Sequence, residues 1–175
     1  MPQTQSRKGA VTFKGNPLTL LGRQVEVGDE APDFEVAAND LSTVRGSDLF
    51  GRKVVILTSV PSLDTSVCDR ETRRFNEEAA GLGEGVQVVT VSMDLPFAQA
   101  RWCGAAGIDR VRTLSDYKEG SFGRAFGVLI EELHLLARAV FVVDREGVVR
   151  YRQLVGEVTQ EPDYASALAA ARNLA

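Results

Sequence analysis

Two cysteines, Cys68 and Cys103, are the residues of this chain best suited to covalent chemistry. A thiolate is a strong nucleophile, and two thiols that meet can form a disulfide. The pair is therefore a candidate nucleophile and resolving partner. A disulfide requires Cα atoms within about 7 Å, and the sequence alone leaves open whether the fold brings them together. If it does not, both are small residues of the kind that proteins commonly bury.

Cys68 ends the segment Pro61–Cys68, which follows an apolar strand-like run and opens a helix-like one. The sulfur is predicted in the first turn of that helix, where free amide groups and the positive end of the macrodipole favour a thiolate. Thr65 can cap the helix and present its hydroxyl toward the sulfur. Pro61 has no amide hydrogen and can wall off one side of it. From the spacing alone, a buried core cysteine fits as well as a nucleophile.

The elements that would position Cys68 follow from the hydrophobic pattern. Val11–Leu21 predicts a hairpin, and the β-branched run Lys53–Val60 predicts a central buried strand. Further strands are predicted at 34–36, 86–93, 111–114, 137–143 and 148–155, and helices at 66–82, 96–106, 121–126 and 162–174. Strand–helix alternation predicts parallel pairing, whereas the last hairpin must be antiparallel. The expected fold class is α/β and thioredoxin-like, with a mixed central sheet, helices on both faces and an N-terminal β-hairpin.

Composition limits the classes of function. The 175 residues are 44% hydrophobic and 25% charged, typical of one globular domain, which we expect over residues 11–175 after a flexible tail over residues 1–10. The net charge of −4 disfavours nucleic acid and anionic membranes as partners. No apolar run approaches the roughly 20 residues that span a bilayer, and the polar start lacks the apolar stretch of a secretory signal. A cytoplasmic location is expected, where a bond between the cysteines would be transient and catalytic.

No metal or cofactor site is expected. A single histidine, His134, and two separated cysteines do not supply the clustered ligands of a zinc or iron site. The glycine-rich stretch Gly81–Gly85 precedes a strand, so it is expected to end a helix rather than to bind phosphate. The chain has no Cys-x-x-Cys motif, which disfavours a dithiol reductase.

The segment around Cys68 is similar to a known motif. Pro61, Thr65 and Cys68 match the pattern P-x-x-x-T-x-x-C of peroxiredoxins, and the full segment resembles the thiol peroxidase branch, the atypical two-cysteine enzymes. The resemblance covers nearly the whole chain, from about Val11 to Leu174. Four stretches carry it in order: Pro61–Cys68, Asp94–Cys103, Ala137–Asp144 and Glu161–Tyr164. The chain departs from the branch at Trp102, where phenylalanine is common, and in the extension over residues 1–10.

The resemblance implies a role for each residue. Cys68 would attack the terminal oxygen of a hydroperoxide and become a sulfenic acid, with Thr65 bonded to the sulfur and the peroxide and Pro61 shielding the site. Arg138 would stabilise the thiolate and the leaving oxygen, although without the family an arginine at a strand edge is the plainer interpretation. Cys103 would attack the sulfenic acid to form an intramolecular disulfide, which thioredoxin reduces. The family also implies a homodimer.

Two other functions stay open at this stage. One is a peroxiredoxin that uses a glutaredoxin or a low-molecular-weight thiol as its reductant. The other is a noncatalytic redox sensor in which the same disulfide switches a partner. Coupled NADPH oxidation with each reductant system distinguishes the first function from a thioredoxin-dependent peroxidase. Reaction of Cys68 with peroxide no faster than that of a free thiol would favour the redox sensor.

Overall fold

The computed structural model describes residues 5–175. Their strands are β1 (Ser6–Phe13), β2 (Asn16–Leu21), β3 (Glu35–Ala37), β4 (Thr43–Arg45), β5 (Val54–Ser59), β6 (Val86–Ser92), β7 (Val111–Ser115), β8 (Leu129–Ile130), β9 (Leu135–Leu136), β10 (Ala139–Val143) and β11 (Val149–Leu154). Their helices are α1 (Gly46–Leu49), α2 (Ser66–Ala79), α3 (Pro96–Ala106), α4 (Ser121–Phe126) and α5 (Tyr164–Leu174). None of these helices is long and apolar enough to cross a membrane.

The central sheet has seven strands in the order β11-β10-β5-β6-β7-β3-β4. The three strands β5, β6 and β7 are parallel, as the strand–helix alternation predicts, and the other pairs in the sheet are antiparallel. Every residue of β5 is buried, which is why its first four residues are a continuous run of valine, isoleucine and leucine rather than an alternating pattern. The end of β5 is therefore held in the interior of the protein, between β10 and β6.

The two faces of the sheet carry different layers. Along β5, Val55 and Leu57 belong to a core with the phenylalanines of α4 and the leucines of β2, whereas Val54 and Ile56 belong to a core with α2 and α5. Alternate residues of one strand point to opposite faces, so this division follows directly from the pleat. The predicted mixed sheet with helices on both faces is confirmed.

The N-terminal hairpin is longer than predicted. Strand β1 begins at Ser6 and pairs with β2 through a turn in which Lys14 and Gly15 both have positive φ, 50° and 82°. Such a two-residue turn matches the twist of the flanking strands. Within the predicted tail over residues 1–10, Ser6 and Arg7 pair with β2, and residues 8–10 continue β1 through an irregularity in the register. Residues 1–4 lie outside the described part of the chain. Strands β8 and β9 extend the hairpin into a second sheet of order β1-β2-β8-β9.

Helix α3, which carries Cys103, begins and ends where the sequence predicts. Pro96 occupies its first turn, where the missing amide hydrogen costs nothing, and Gly107 ends it in the left-handed conformation, with φ of 67°. Only Pro96 and Gln99 of this helix are fully buried. Compared with α2, helix α3 is therefore lightly held by the core.

Candidate active site

Cys68 lies in the first turn of α2, directly beyond the end of β5. Its side chain has no exposed surface and packs with Val60 and Leu63, against which the ring of Trp102 also lies. The first amides of a helix have no acceptor within it, and the sulfur belongs to the turn that carries those of Ser66–Cys68 and the positive end of the helix dipole. The structure thus places a fully buried thiol at the N-terminal end of a helix.

Arg138 is the charged group that meets this sulfur. Its Nη2 lies 3.4 Å from Cys68 Sγ. The contact arises from strand register: β10 pairs with β5 so that Ala139 faces Ser59, which places the preceding residue, Arg138, beside the end of β5. The structure therefore brings together two predicted site residues, and the alternative of a surface arginine is wrong for Arg138, whose side chain is only 2% exposed.

The guanidinium of Arg138 is held by two further partners. Its Nη1 lies 2.6 Å from Glu71 Oε2, and its Nε and Nη2 donate to the carbonyl of Val158 at 3.2 and 2.9 Å. Glu71 follows Cys68 by one helical turn, so both side chains lie on the face of α2 toward Arg138. Sequence reasoning missed Glu71, because a glutamate on a charged helix is usually solvated; the three-residue spacing from Cys68 is the signal that would have found it.

Burial governs the electrostatics of this group. Loss of solvent raises the pKa of Glu71 to about 7, although the charge of Arg138 acts in the opposite direction. One oxygen of Glu71, Oε1, has no hydrogen-bond partner among the described residues, in keeping with incomplete compensation. Burial disfavours the charge on Arg138 as well, but the negative charges of Glu71 and Cys68 outweigh it and raise the pKa of Arg138. A permanently charged guanidinium therefore faces two acids, of which Glu71 is readily neutralised near neutral pH.

Thr65 departs from its predicted role as a helix cap. It occupies the N-cap position, but its hydroxyl donates to the carbonyl of Ser62 at 2.9 Å, and no side-chain bond caps α2. The hydroxyl folds back onto the preceding turn because that carbonyl lies three residues earlier, a local alternative that competes with capping. Its predicted bonds to the sulfur and to a peroxide stay predictions.

Asp94 fixes the loop before Cys68, and sequence reasoning missed this function. Its carboxylate accepts hydrogen bonds from Ser62 Oγ at 2.7 Å, from the amide of Leu63 at 2.9 Å and from Ser92 Oγ at 2.6 Å. The end of β6 is thereby joined to the turn that leads into α2. These bonds join the segments Pro61–Cys68 and Asp94–Cys103.

A cavity of about 380 Å³ opens beside this loop. Pro61, Thr65 and Arg138 line it, so three of the five predicted site residues border one space. Most of its remaining wall is apolar, contributed by Phe13, Val67, Ile130, Leu133, Leu135 and Val158. The cavity therefore gives a small or apolar molecule an approach to the Arg138 end of the site.

Cys103 is not part of this cluster. It is half-buried on α3, where its Sγ lies 3.5 Å from Thr113 Oγ1, and both cysteines are free thiols. The neighbouring Trp102 contacts the Cys68 environment instead and donates from Nε1 to Asp69 Oδ1 at 3.0 Å. Helices α2 and α3 are thus joined through the tryptophan, and the resolving role of Cys103 stays a prediction.

Within residues 5–175, no group of three histidine, cysteine or acidic side chains is arranged to hold a metal ion. A buried cysteine at a helix start, facing a fixed arginine, is suited, once deprotonated, to attack on an electrophile whose leaving atom becomes negative.

Comparisons with known proteins show the family of this chain. The family model described as Redoxin matches residues 26–168. The crystal structure of a peroxiredoxin-like protein from Aquifex aeolicus superimposes on this chain with a TM-score of 0.87. The two sequences are 43% identical, and the match covers 99% of each chain. The fold and the site thus define a redoxin.

Relatives identify the branch of that family. The thiol peroxidase of Halalkalibacterium halodurans is 58% identical over 93% of this chain and 97% of its own length. The thiol peroxidase of Streptococcus pneumoniae is 54% identical over 94% of this chain and 99% of its own length. The chain belongs to the thiol peroxidases of the redoxin family, whose activity requires a peroxide and a thiol reductant.

Proposed function

We propose that this chain reduces hydrogen peroxide and organic hydroperoxides to water and alcohols, with Cys68 as the peroxidatic and Cys103 as the resolving cysteine. The observation that supports this most strongly is the contact between Arg138 Nη2 and the buried Sγ of Cys68, 3.4 Å apart at the start of α2. The apolar cavity beside the loop is the reason to include organic hydroperoxides.

In the first step, the thiolate of Cys68 attacks the terminal oxygen of the hydroperoxide. An S–O bond forms while the O–O bond breaks, so the sulfur is oxidised to a sulfenic acid and the other oxygen leaves as water or an alcohol after protonation. Arg138 stabilises the negative charge that moves from the sulfur to the leaving oxygen, because its guanidinium is held in place before the reaction. Thr65 orients the peroxide, and Pro61 shields the sulfur.

In the second step, the thiol of Cys103 attacks the Cys68 sulfenic acid, which forms a disulfide and releases water. Cys68 is fully buried and Cys103 lies beside Thr113, so the step needs local opening of the chain. Helix α3 is the segment most readily displaced, since only Pro96 and Gln99 of it are fully buried.

A thioredoxin then reduces the disulfide by thiol exchange, which returns both thiols and completes the cycle. This chemistry belongs in a reducing compartment, and we place the protein in the cytoplasm. We also propose a homodimer, as the family implies; Leu95 and Phe97, 51% and 65% exposed, are apolar side chains that such an interface can cover.

Peroxide-dependent oxidation of NADPH, coupled through thioredoxin and its reductase, tests this cycle. Cys68→Ser should abolish turnover, and Cys103→Ser should consume about one equivalent of peroxide per chain and then stall, since its sulfenic acid has no internal partner. Full multiple turnover of Cys103→Ser with thioredoxin would exclude the resolving role. Turnover of the wild type with a glutaredoxin or a small thiol but not with thioredoxin would overturn the proposed reductant.

A further inference from the structure

The cavity beside Cys68 is asymmetric in charge. Among residues 5–175, the ionisable residues that line it are Lys14 and Arg138, both cationic, and no aspartate or glutamate of this part of the chain does so. A cavity with a largely apolar wall and only positive ionisable groups is complementary to an apolar molecule that carries negative charge. Hydrogen peroxide has neither an apolar body to contact this wall nor a negative charge to pair with these cations.

The two cations differ in availability. Arg138 is buried and already engaged by Glu71, the carbonyl of Val158 and the Cys68 sulfur. Lys14 is exposed at the tip of the N-terminal hairpin, with its Nζ 5.5 Å from the ring centroid of Phe13. Within residues 5–175 it forms no salt bridge. The ammonium group of Lys14 can therefore pair with an anionic group of a ligand at the rim of the cavity.

The hairpin tip that carries Lys14 is held in position. Its turn has left-handed residues at Lys14 and Gly15, and the carboxylate of Glu157 accepts bonds from the amide of Gly15 at 2.9 Å and from Thr12 Oγ1 at 3.0 Å. The other carboxylate oxygen of Glu157 accepts hydrogen bonds from the amide and the hydroxyl of Thr159. Its carboxylate is thus committed to the backbone and hydroxyls of the loop rather than to Lys14.

We propose that Lys14 is a specificity-determining residue that selects hydroperoxides with an apolar body and an anionic group at the end away from the peroxide. This inference rests on the proposed function. The peroxide end lies toward Arg138 and Cys68, the apolar body contacts the wall that includes Val67 and Ile130, and a carboxylate pairs with Lys14 at the rim. The reaction at sulfur is unchanged, so Lys14 acts on binding and not on the oxygen transfer.

A medium-chain hydroperoxy carboxylic acid and its methyl ester test the proposal, because they differ only in charge. The kcat/KM ratio of acid to ester, measured with saturating reductant, should exceed unity in the wild type. In Lys14→Ala the ratio should fall by about fivefold, the upper range of what one exposed ion pair supplies, and in Lys14→Glu by about tenfold or more. An acid-to-ester ratio that is the same in the wild type and both variants overturns the proposal.

Lys8→Ala is the matched control, since Lys8 is an exposed lysine of the same hairpin that does not line the cavity. It removes the same net charge and should keep the wild-type ratio. An equal fall in Lys8→Ala would mean that general electrostatic attraction, not a site, selects the anion, which also overturns the proposal. Failure of the proposed function is distinguishable, because the wild type would then reduce neither the acid, the ester nor hydrogen peroxide.

Discussion

Replacing Glu71 by glutamine should remove a pH dependence of stability that its burial creates. Glutamine keeps the shape and a carbonyl acceptor toward Arg138 Nη1, but it cannot ionise. In the wild type the pKa of Glu71 rises from 4.5 to about 7 on folding, because burial penalises the carboxylate. The folded state therefore binds this proton more tightly than the unfolded state does.

Proton linkage gives the sign and the size of this pH dependence of the unfolding free energy. Between pH 4.5 and about 7 the native chain keeps the Glu71 proton and the unfolded chain loses it, so wild-type stability falls as pH rises through this window. At about 1.4 kcal/mol per pH unit, the full window corresponds to roughly 3 kcal/mol. The unfolding free energy of Glu71→Gln minus that of the wild type should rise by this amount from the acidic to the neutral end.

Urea unfolding, followed by circular dichroism at a series of pH values across the window, measures this difference. Asp116, whose pKa burial raises to about 6, adds a slope of the same sign, but it is present in both proteins and cancels. Glu77→Gln, a change at an exposed glutamate of the same helix, is the control and should not reproduce the effect. A constant difference, or a wild type that gains stability relative to Glu71→Gln as pH rises, would refute a readily neutralised Glu71 and indicate a persistent ion pair.

Two further substitutions probe the chemistry and the opening step. Arg138→Lys should lower the rate constant of Cys68 oxidation by about a hundredfold, because one ammonium nitrogen replaces the separate nitrogens that reach the sulfur, Glu71 and Val158. Stopped-flow fluorescence measures this rate constant, and a value within a few-fold of wild type would contradict the role. Trp102→Phe removes the 3.0 Å bond from Nε1 to Asp69, worth about 1 kcal/mol, so disulfide formation after a peroxide pulse should speed up about fivefold. An unchanged or slower rate in quenched-flow alkylation would show that the tryptophan does not restrain the opening of α3.

Much of the fold was predictable because its elements carry clear local patterns. The β-branched run of β5 and the proline and glycine that bound α3 predict these elements with correct or nearly correct limits. Strands β8 and β9 have two residues each, too few to show any period, so the second sheet could not be predicted. The start of β1 was placed too late because its polar residues face outward and do not resemble a buried strand.

The site was predictable only where a residue's own position supplies the chemistry. Cys68 follows a strand and opens a helix, and both features are visible in the sequence. Its contact with Arg138 depends on the antiparallel register of β10 against β5, which no local pattern encodes. The functions of Glu71 and Asp94 depend on burial and on a loop contact, so neither carboxylate stood out.

Intact-mass analysis after one equivalent of peroxide, without reductant, tests the central claim most directly. The account predicts that the wild type becomes two hydrogens lighter, that peptide mapping finds a disulfide between Cys68 and Cys103, and that added thioredoxin restores the original mass. Cys103→Ser should instead gain one oxygen on Cys68. An unchanged wild-type mass, or a gained oxygen that maps to Cys103 and leaves Cys68 reduced, would contradict the assignment of Cys68 as the nucleophile.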